Sequence, residues 1–542
     1  MTRTIRLRPW QKAAFDAYVA ADVPDFLAVA TPGAGKTTFA LTVARYELGR
    51  RPCRLVVVAP TAHLKVQWAN AAHAVGLHLD PSWNPADGLA PDLHGVVTTY
   101  QQVATSAQAL RAIAHDGFVV LDEIHHAADE RAWGDAVRLA FSSAARRLAL
   151  SGTPFRSDTA PIPFIRYVQD EAQPDFTYGY ADALKDGRVV RPVYFPRVGG
   201  EMEWVAPDGT AMAASFDDQL DAARSAQRLR TALSLDGQWL PTVLRAAHER
   251  LLSIRAVDHD AGGLVIAIDQ EHARGIAEIM RWRLGVDPVV VTSDDPTASA
   301  RIARFAAGTE PWLVAVRMVS EGVDIPRLSV GVYATTTTTE LFFRQAVGRF
   351  VRWRRGAKRQ QAFLYLPDDP RLRARAFQIA DERRHSLRRD RRDDEDAFVP
   401  PDAGAELDEQ RDTERQPSLF TVISAVATDP EEPEAPWDLD PLPADGDAEP
   451  VVEIELAEPP RLAVPGPGTG GVPGGVPVIE HKRRLREANA RAAQELVLLT
   501  GWTHARVNAE LNRRAGIKRV TQATVEQLER RLHHAESWIR KL

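Results

Sequence analysis

Thr31-Pro32-Gly33-Ala34-Gly35-Lys36-Thr37-Thr38 follows directly on the apolar run Phe26 to Ala30. A short buried strand that runs into a glycine-bearing loop ending in Gly-Lys-Thr, with the helix-compatible stretch Phe39 to Ala44 behind it, demands a parallel α/β sheet around it. In that setting the loop N–H groups and the start of the next helix converge on an anion. The spacing assigns Gly33, Gly35, Lys36, Thr37 and Thr38 to a nucleoside triphosphate: Lys36 reaches the β- and γ-phosphate oxygens, and the Thr37 hydroxyl ligates Mg²⁺. Ala30 stands where such loops usually carry their first glycine, and its small side chain still permits the tight turn. A bare Gly-Lys-Thr is more often an ordinary turn, so the flanking strand and helix decide for the phosphate site.

The strand and helix alternation occurs twice. The first series is Phe26 to Ala30, Leu55 to Ala59, Gly95 to Thr99, Phe118 to Leu121 and Leu148 to Ser151; the second is Leu264 to Ile268, Pro288 to Thr292, Trp312 to Val316, Val330 to Ala334 and Ala362 to Leu366. Near-continuous apolar strands separated by helix-length segments predict an α/β protein of two tandem doubly wound parallel sheets, spanning 1–197 and 261–392. Residues 198–260 read as a helical connector, with Leu220, Ala223, Leu229, Leu233 and Leu240 on an apolar stripe.

In the first series, Phe118-Val119-Val120-Leu121-Asp122-Glu123-Ile124-His125 sets two carboxylates at the carboxyl end of a buried strand, where ligands of open α/β sheets bind. Adjacent carboxylates can divide labour: Asp122 as a Mg²⁺ ligand, Glu123 as the group that orients and deprotonates an attacking water. Alone, such a pair would be an ordinary solvated strand end; in the same sheet as the Gly-Lys-Thr loop it completes a nucleoside triphosphate site.

Charge divides the chain sharply. Residues 393–478 hold 22 acidic against 3 basic side chains, a net of −19 in a chain whose total is −6, so everything outside carries +13. The same stretch holds 15 of the 37 prolines, a composition that predicts a disordered acidic linker. A basic remainder suits a polyanion partner, although charge alone is usually a solvated face. The single cysteine, Cys53, excludes a disulfide framework and a cysteine-based zinc site and fits a reducing cytoplasm. The start has no apolar leader segment, and no run approaches the roughly 20 apolar residues of a membrane span.

With these motifs in hand, the region from Leu7 to Pro367 resembles the superfamily 2 helicases and translocases of DExH type, in particular the branch containing the helicase (Res) subunits of restriction enzymes and phage helicases. The resemblance implies two RecA-like motor domains, ATP and Mg²⁺ as cofactors, and DNA, in preference to RNA, as partner. Arg8-Pro9-Trp10-Gln11 resembles the adenine-reading segment, with Gln11 as base contact. Pro60-Thr61 and Thr98-Thr99-Tyr100 resemble elements that hold a nucleic-acid backbone. Ser151-Gly152-Thr153 resembles the motif coupling the two sites, and Ile266 to Ala273 the segment opening the second motor domain. Ser320-Glu321-Gly322-Val323-Asp324 and Gln345-Ala346-Val347-Gly348-Arg349-Phe350-Val351-Arg352 resemble the motifs closing on the nucleotide, which implies nucleotide contacts for Gly322 and Asp324, a nucleic-acid contact for Ser320, and catalytic roles for Gln345, Arg349 and Arg352. Three residues apart, Arg349 and Arg352 would share one face of a helix, aimed across the cleft at the γ-phosphate. His125 falls where it can link the nucleotide to Gln345 or Thr153. Ile124 replaces the alanine of the usual Asp-Glu-Ala-His, which leaves the carboxylate roles untouched.

The expectation is therefore an ATP-dependent DNA helicase or translocase. Its rivals are a double-strand translocase subunit of a restriction or phage-defence complex, and a nucleotide-switched binding subunit with little turnover. Arg371 to Arg392, with 9 arginines and 3 acids, reads as a solvated helix or a nucleic-acid track. Residues 479–542 carry 14 basic and 7 acidic side chains. Their apolar phasing, broken at Gly501 and Gly516 with Thr524 and Gln527 as a capping box, predicts a three-helix module, either a helix-turn-helix or a protein-docking bundle.

Overall fold

The computed structural model describes residues 2–86, 89, 93–128, 131–152, 162–168, 171–292, 295, 297–316, 325–354, 356–357, 360–387, 421–431, 451–459, 478–502, 504–517, 520 and 523–541. All ten strands of the two sequence series form. The first lobe is built from β1 (Thr2–Leu7), α1 (Pro9–Ala21), β2 (Asp25–Ala30), α2 (Lys36–Arg50), β3 (Leu55–Ala59), α3 (Ala62–Ala74), β4 (Leu79–Asp80), β5 (Gly95–Thr99), α4 (Tyr100–Ala114), β6 (Phe118–Leu121), α5 (Arg131–Phe141), β7 (Arg146–Ser151), a short hairpin β8 (Tyr167–Val168) and β9 (Glu171–Ala172), then β10 (Phe176–Tyr178) and α6 (Tyr180–Lys185). Its seven-stranded sheet runs β10-β2-β7-β6-β3-β5-β4, with every pairing parallel. β3 and β6 are buried at every position, as expected of strands covered by helices on both faces. β2 and β6, separated by β7 alone, end on the same edge of the sheet and carry the Gly-Lys-Thr loop and the Asp-Glu pair.

The chain then passes to β11 (Val193–Tyr194) and β12 (Arg197–Val198), which pair with a strand of the second lobe, so the crossover falls ahead of residue 197. Residues 198–260 are only partly helical. A hairpin of β13 (Gly200–Val205) and β14 (Ala211–Ser215) precedes α7 (Ala222–Ala232) and α8 (Trp239–Arg255). The period-two burial of β13, with Met202 and Trp204 inward and Glu201 and Glu203 outward, is the strand signal that the helical stripe overshadowed.

β15 (Gly262–Ala267), α9 (Gln270–Leu284), β16 (Val289–Val291), α10 (Ala298–Ala307), β17 (Trp312–Val316), β18 (Leu328–Ala334), α11 (Glu340–Gly348), β19 (Ala362–Pro367) and α12 (Pro370–Leu387) complete the second lobe. Its parallel sheet is ordered β11-β19-β18-β15-β17-β16. The protein thus has two tandem RecA-like lobes.

The acidic stretch 393–478 is not structureless throughout. β20 (Thr421–Ala427) adds to the edge of β13, and β21 (Val452–Ala457) pairs antiparallel with β1 from Thr2↔Ala457 to Leu7↔Val452. Composition averaged over the stretch hid two short apolar runs, Val422 to Val426 and the alternating Val452, Ile454 and Leu456, of which Ile454 and Leu456 pack against the first lobe's core. α13 (Val478–Thr500), α14 (His504–Ala515) and α15 (Val525–Ile539) form the three-helix module, with the Thr524/Gln527 capping box in place. Among the described residues no helix is long and apolar enough to cross a membrane.

Candidate nucleotide site between the lobes

The phosphate loop takes its shape from two glycines. Gly33 (φ +83°) and Gly35 (φ +97°) lie in the left-handed region, where other residues are strained, and a Cβ at 35 would have to displace the Gln11 amide 2.7 Å away. The start of α1 grips the loop from behind. Arg8 Nη1 donates to Ala34 O (2.9 Å), Trp10 Nε1 donates to the same carbonyl (3.1 Å), and Gln11 Nε2 donates to Gly35 O (2.9 Å). Gln11 Oε1 also accepts from the Arg8 N–H at 2.8 Å, and the residue is buried. The glutamine expected to read a base is thus engaged in holding the loop. Trp10 stacks on Tyr178 of β10 at 4.8 Å, and the Thr31 N–H donates to Tyr178 O at 2.9 Å. Arg8, Trp10 and Tyr178 were missed as loop-shaping residues, although the first two stood in the motif that named Gln11. Thr37 and Thr38, in the first turn of α2, are half-buried.

At the end of β6, Trp68 Nε1 donates to Asp122 Oδ2 (2.9 Å) and the Tyr100 hydroxyl donates to Asp122 O (2.9 Å). Burial, reinforced by the neighbouring Glu123 charge, pushes the Asp122 carboxyl above its ordinary range. Glu123 sits at φ +46°, a left-handed conformation that costs a non-glycine residue on the order of 1–3 kcal/mol and is found where function needs a side chain aimed. Its Oε1 accepts from Lys36 Nζ (2.8 Å) and its Oε2 from the Gly152 N–H (2.9 Å), with His125 Nδ1 3.7 Å away. Burial pulls this carboxyl upward, but Lys36, His125 and the two hydrogen bonds outweigh it and hold Glu123 ionised, below its usual range.

His125 bridges the lobes. Its Nδ1 lies 3.3 Å from Ser151 Oγ, and its Nε2 is 3.1 Å from Gln345 Nε2 on α11. The Nδ1 edge of the ring thus faces Ser151 and Glu123, and the Nε2 edge faces the second lobe. Of the two partners expected for His125, Gln345 is the one found; Thr153 lies outside the described residues, as do Ser320, Gly322 and Asp324.

The two arginines do not share a helical face. α11 ends at Gly348, where a Cβ would meet Pro32 Cγ at 2.7 Å. Arg349 is the C-cap, and Arg352 lies beyond it in an antiparallel bridge with Val190. Spacing alone could not show that the helix ends between the two arginines. Arg352 nevertheless reaches the phosphate loop: a Cβ on Gly33 would meet its Cδ at 3.1 Å and its Nη1 at 3.5 Å.

Of the residues expected against a nucleic-acid backbone, Thr98 and Tyr100 are fully buried, and Thr98 Oγ1 donates to Gln102 Oε1 at 3.1 Å. Thr99 caps α4, accepting from the Gln102 N–H at 3.2 Å. Their hydroxyls therefore serve the fold. Pro60 and Thr61 are half-buried at the start of α3. Asp269 caps α9 through the His272 N–H at 2.8 Å. The arginine-rich helix is neither a solvated face nor a free cationic track over its described part: Arg371 pairs with Asp369, Arg373 with Asp368 and Asp217, and Arg375 with Glu340, while Arg383 is buried with Nη1 on Val193 O.

A family model described as Type III restriction enzyme, res subunit, matches residues 4–156. The protein Rv2917 of Mycobacterium tuberculosis is 48% identical over 430 residues, 78% of this chain and 71% of that protein. ML1624 of Mycobacterium leprae is 47% identical over 431 residues, with the same shares covered. The chain belongs to the family of these two proteins. Its residues 4–156 are related to the Res subunits of type III restriction enzymes. Among solved structures, similarity extends to a fragment assigned as an HsdR subunit of a type I restriction enzyme from Vibrio vulnificus, at 17% identity and a TM-score of 0.48, covering 68% of this chain and 65% of that one. It also extends to S. cerevisiae Dbp5 bound to RNA and ADP BeF3, at 14% identity and a TM-score of 0.42, covering 70% of this chain and 87% of that one.

Proposed function

We propose that this family member is a nucleic-acid-dependent ATPase that hydrolyses ATP between its lobes to move along DNA. The observation that carries the proposal is the placement of Arg352, from the second lobe, against Gly33 of the phosphate loop whose Lys36 pairs with Glu123. A site assembled from two lobes is complete only when they close, which is how hydrolysis becomes movement.

The donor set suits Mg²⁺: an aspartate and a threonine offer hard oxygen ligands, and a carboxyl as costly to ionise as Asp122 gains most from a cation. Mg²⁺ held by Thr37 and Asp122 would neutralise charge on the phosphate oxygens. Lys36 exchanges Glu123 for the phosphates when ATP binds. Glu123, relieved of its ammonium partner, becomes more basic as it takes up the attacking water, and the Gly152 N–H keeps it aimed. His125 and Gln345 connect the second lobe to this carboxylate, and Arg352 meets the charge that develops on the γ-phosphate.

The test is steady-state ATPase without nucleic acid and with single-stranded DNA, duplex DNA or RNA, followed by strand displacement on tailed duplexes. Stimulation of at least ~10-fold by DNA, equivalent to ~1.4 kcal/mol off the barrier, is the expected result. No hydrolysis under any condition would instead favour a nucleotide-switched binding subunit, and duplex stimulation without strand displacement a double-strand translocase.

The basic module 478–542 supplies affinity rather than chemistry. α14 presents Arg506, Arg513 and Arg514 outward, and two of these stack on indoles, Arg506 on Trp502 at 4.0 Å and Arg514 on Trp538 at 4.6 Å. A chain ending at Glu458 keeps β20 and β21 on the motor. It should retain DNA-stimulated turnover, bind DNA more weakly, and show a salt slope shallower by ~0.9 for each phosphate that the module would otherwise neutralise. Fluorescence anisotropy over a salt series reads both quantities. An unchanged slope would assign the module to protein docking.

A further inference from the structure

Between the lobes runs a segment that none of the motifs covers. β10 pairs with β2, the strand that feeds the phosphate loop, and β11 pairs with β19 in the second lobe. The connection from α6 turns through two consecutive left-handed residues, Gly187 (φ +61°) and Arg188 (φ +52°), before reaching Arg191. A single buried apolar cluster follows the same route, from Phe26 through Tyr178, Tyr180, Val190 and Val193 to Phe343 and Phe350.

Arg191 is 1% exposed, yet its hydrogen bonds go to backbone carbonyls and one hydroxyl. Its Nε donates to Phe350 O at 2.7 Å, its Nη1 reaches Ser329 Oγ at 3.4 Å, and its Nη2 donates to Leu328 O and, at 3.5 Å, Pro326 O. Its own N–H donates to Val351 O at 2.9 Å, and its carbonyl accepts from the Tyr180 hydroxyl at 3.1 Å, the same hydroxyl that accepts from the Val193 N–H at 3.0 Å. Burying a guanidinium is costly, and a side chain serving only to fill space here would be apolar. The planar fork of five N–H groups is what allows one residue to hold two separate turns at once, and lysine cannot reproduce it.

Both turns belong to the nucleotide cleft. Phe350 and Val351 lie between Arg349 and Arg352, and Val190 is bridged to Arg352 itself. The turn at 326–329 follows directly on the segment that carries Gly322 and Asp324. We infer that Arg191 is a positioning residue: it bolts the interlobe connection to the arginine-bearing segment 349–352, so that Arg352 arrives over Gly33 in one defined place whenever the lobes close. The inference rests on the ATPase reading for its catalytic consequence, though not for its structural one.

Two measurements on Arg191→Lys test it. Hydrogen exchange at the amides of 349–354 should speed up by at least ~10-fold, because the carbonyl anchors that restrain this segment are removed; unchanged exchange would overturn the inference whether or not the protein hydrolyses ATP. Stimulated kcat should fall ~10-fold or more with KM for ATP within about threefold, since a displacement of about 1 Å at a catalytic group can cost up to ~10²-fold. The loss should vanish in an Arg352→Ala background, because two residues acting through one interaction are not additive. Full additivity, or a normal kcat in Arg191→Lys, would overturn it. Tyr180→Phe, which removes only the hydroxyl bracing Arg191 O, should show the same pattern to a smaller degree and keeps the test decisive if Arg191→Lys folds poorly. A wild-type protein without ATPase activity would count against the proposed function, with the exchange result still deciding the role of Arg191.

Discussion

Glu123→Gln should hold ATP and scarcely hydrolyse it. The substitution preserves shape and the left-handed backbone at 123, and an amide oxygen can still accept the Gly152 N–H now made to the carboxylate at 2.9 Å. Two things are removed: the proton acceptor and the negative charge on which Lys36 Nζ rests at 2.8 Å. Loss of a general base typically costs about 10²–10⁴-fold in turnover. Loss of the resting partner frees the Lys36 ammonium for the phosphates, so nucleotide affinity should be unchanged or higher. Lys36→Ala is the contrasting case, in which affinity and turnover fall together because the phosphate contact itself is gone. Fluorescent-nucleotide binding alongside single-turnover hydrolysis separates the two, and near-normal turnover in Glu123→Gln would take Glu123 out of the mechanism.

Arg352→Ala should leave ATP affinity within a few-fold and reduce DNA-stimulated turnover by about 10³-fold, the lower end of what an arginine finger contributes to phosphoryl transfer. Arg352 approaches the phosphate loop from the opposite lobe, beside Gly33, so its charge acts only in the closed state and on the charge of the transition state. Arg349→Ala should cost less. Arg349 occupies the C-cap position of α11, whereas Arg352 lies against Gly33 of the loop. Arg352→Lys should recover little, since an ammonium lacks the planar fork. Equal turnover in wild type and Arg352→Ala would mean that the lobes close in some other register during catalysis.

Much of this protein is legible along the chain because its determinants are local. A strand covered on both faces must be apolar almost throughout, so runs such as Leu55 to Ala59 declare themselves. Gly33 and Gly35 are required by a backbone conformation, and Lys36, Thr37, Asp122 and Glu123 by a chemistry, that tolerate few alternatives. These features hold wherever the rest of the chain goes, and they were sufficient to announce the two parallel sheets and the glycine-bearing loop that follows β2.

Roles that depend on which partner folding sets beside a side chain were not legible. Gln11, Thr98 and Tyr100 carry side chains suited to recognition, and folding spends them on the phosphate loop, on Gln102 and on the Asp122 carbonyl. The arginines from 371 to 383 resemble a cationic track until partners from distant segments, Asp217 and Glu340 among them, neutralise them. β20 and β21 emerge from an acidic, proline-rich stretch because edges far back in the chain, β13 and β1, supply the hydrogen bonds that short strands cannot supply for themselves. The sequence by itself determined the two parallel sheets and the glycine-built turn of the loop at 31–38, because each follows from backbone sterics and burial within a few residues. Only the tertiary structure decided that Gly348 at the end of α11 packs on Pro32, that Arg352 reaches Gly33, and that Arg191 binds the segment 350–351, because each is a contact between residues more than a hundred positions apart.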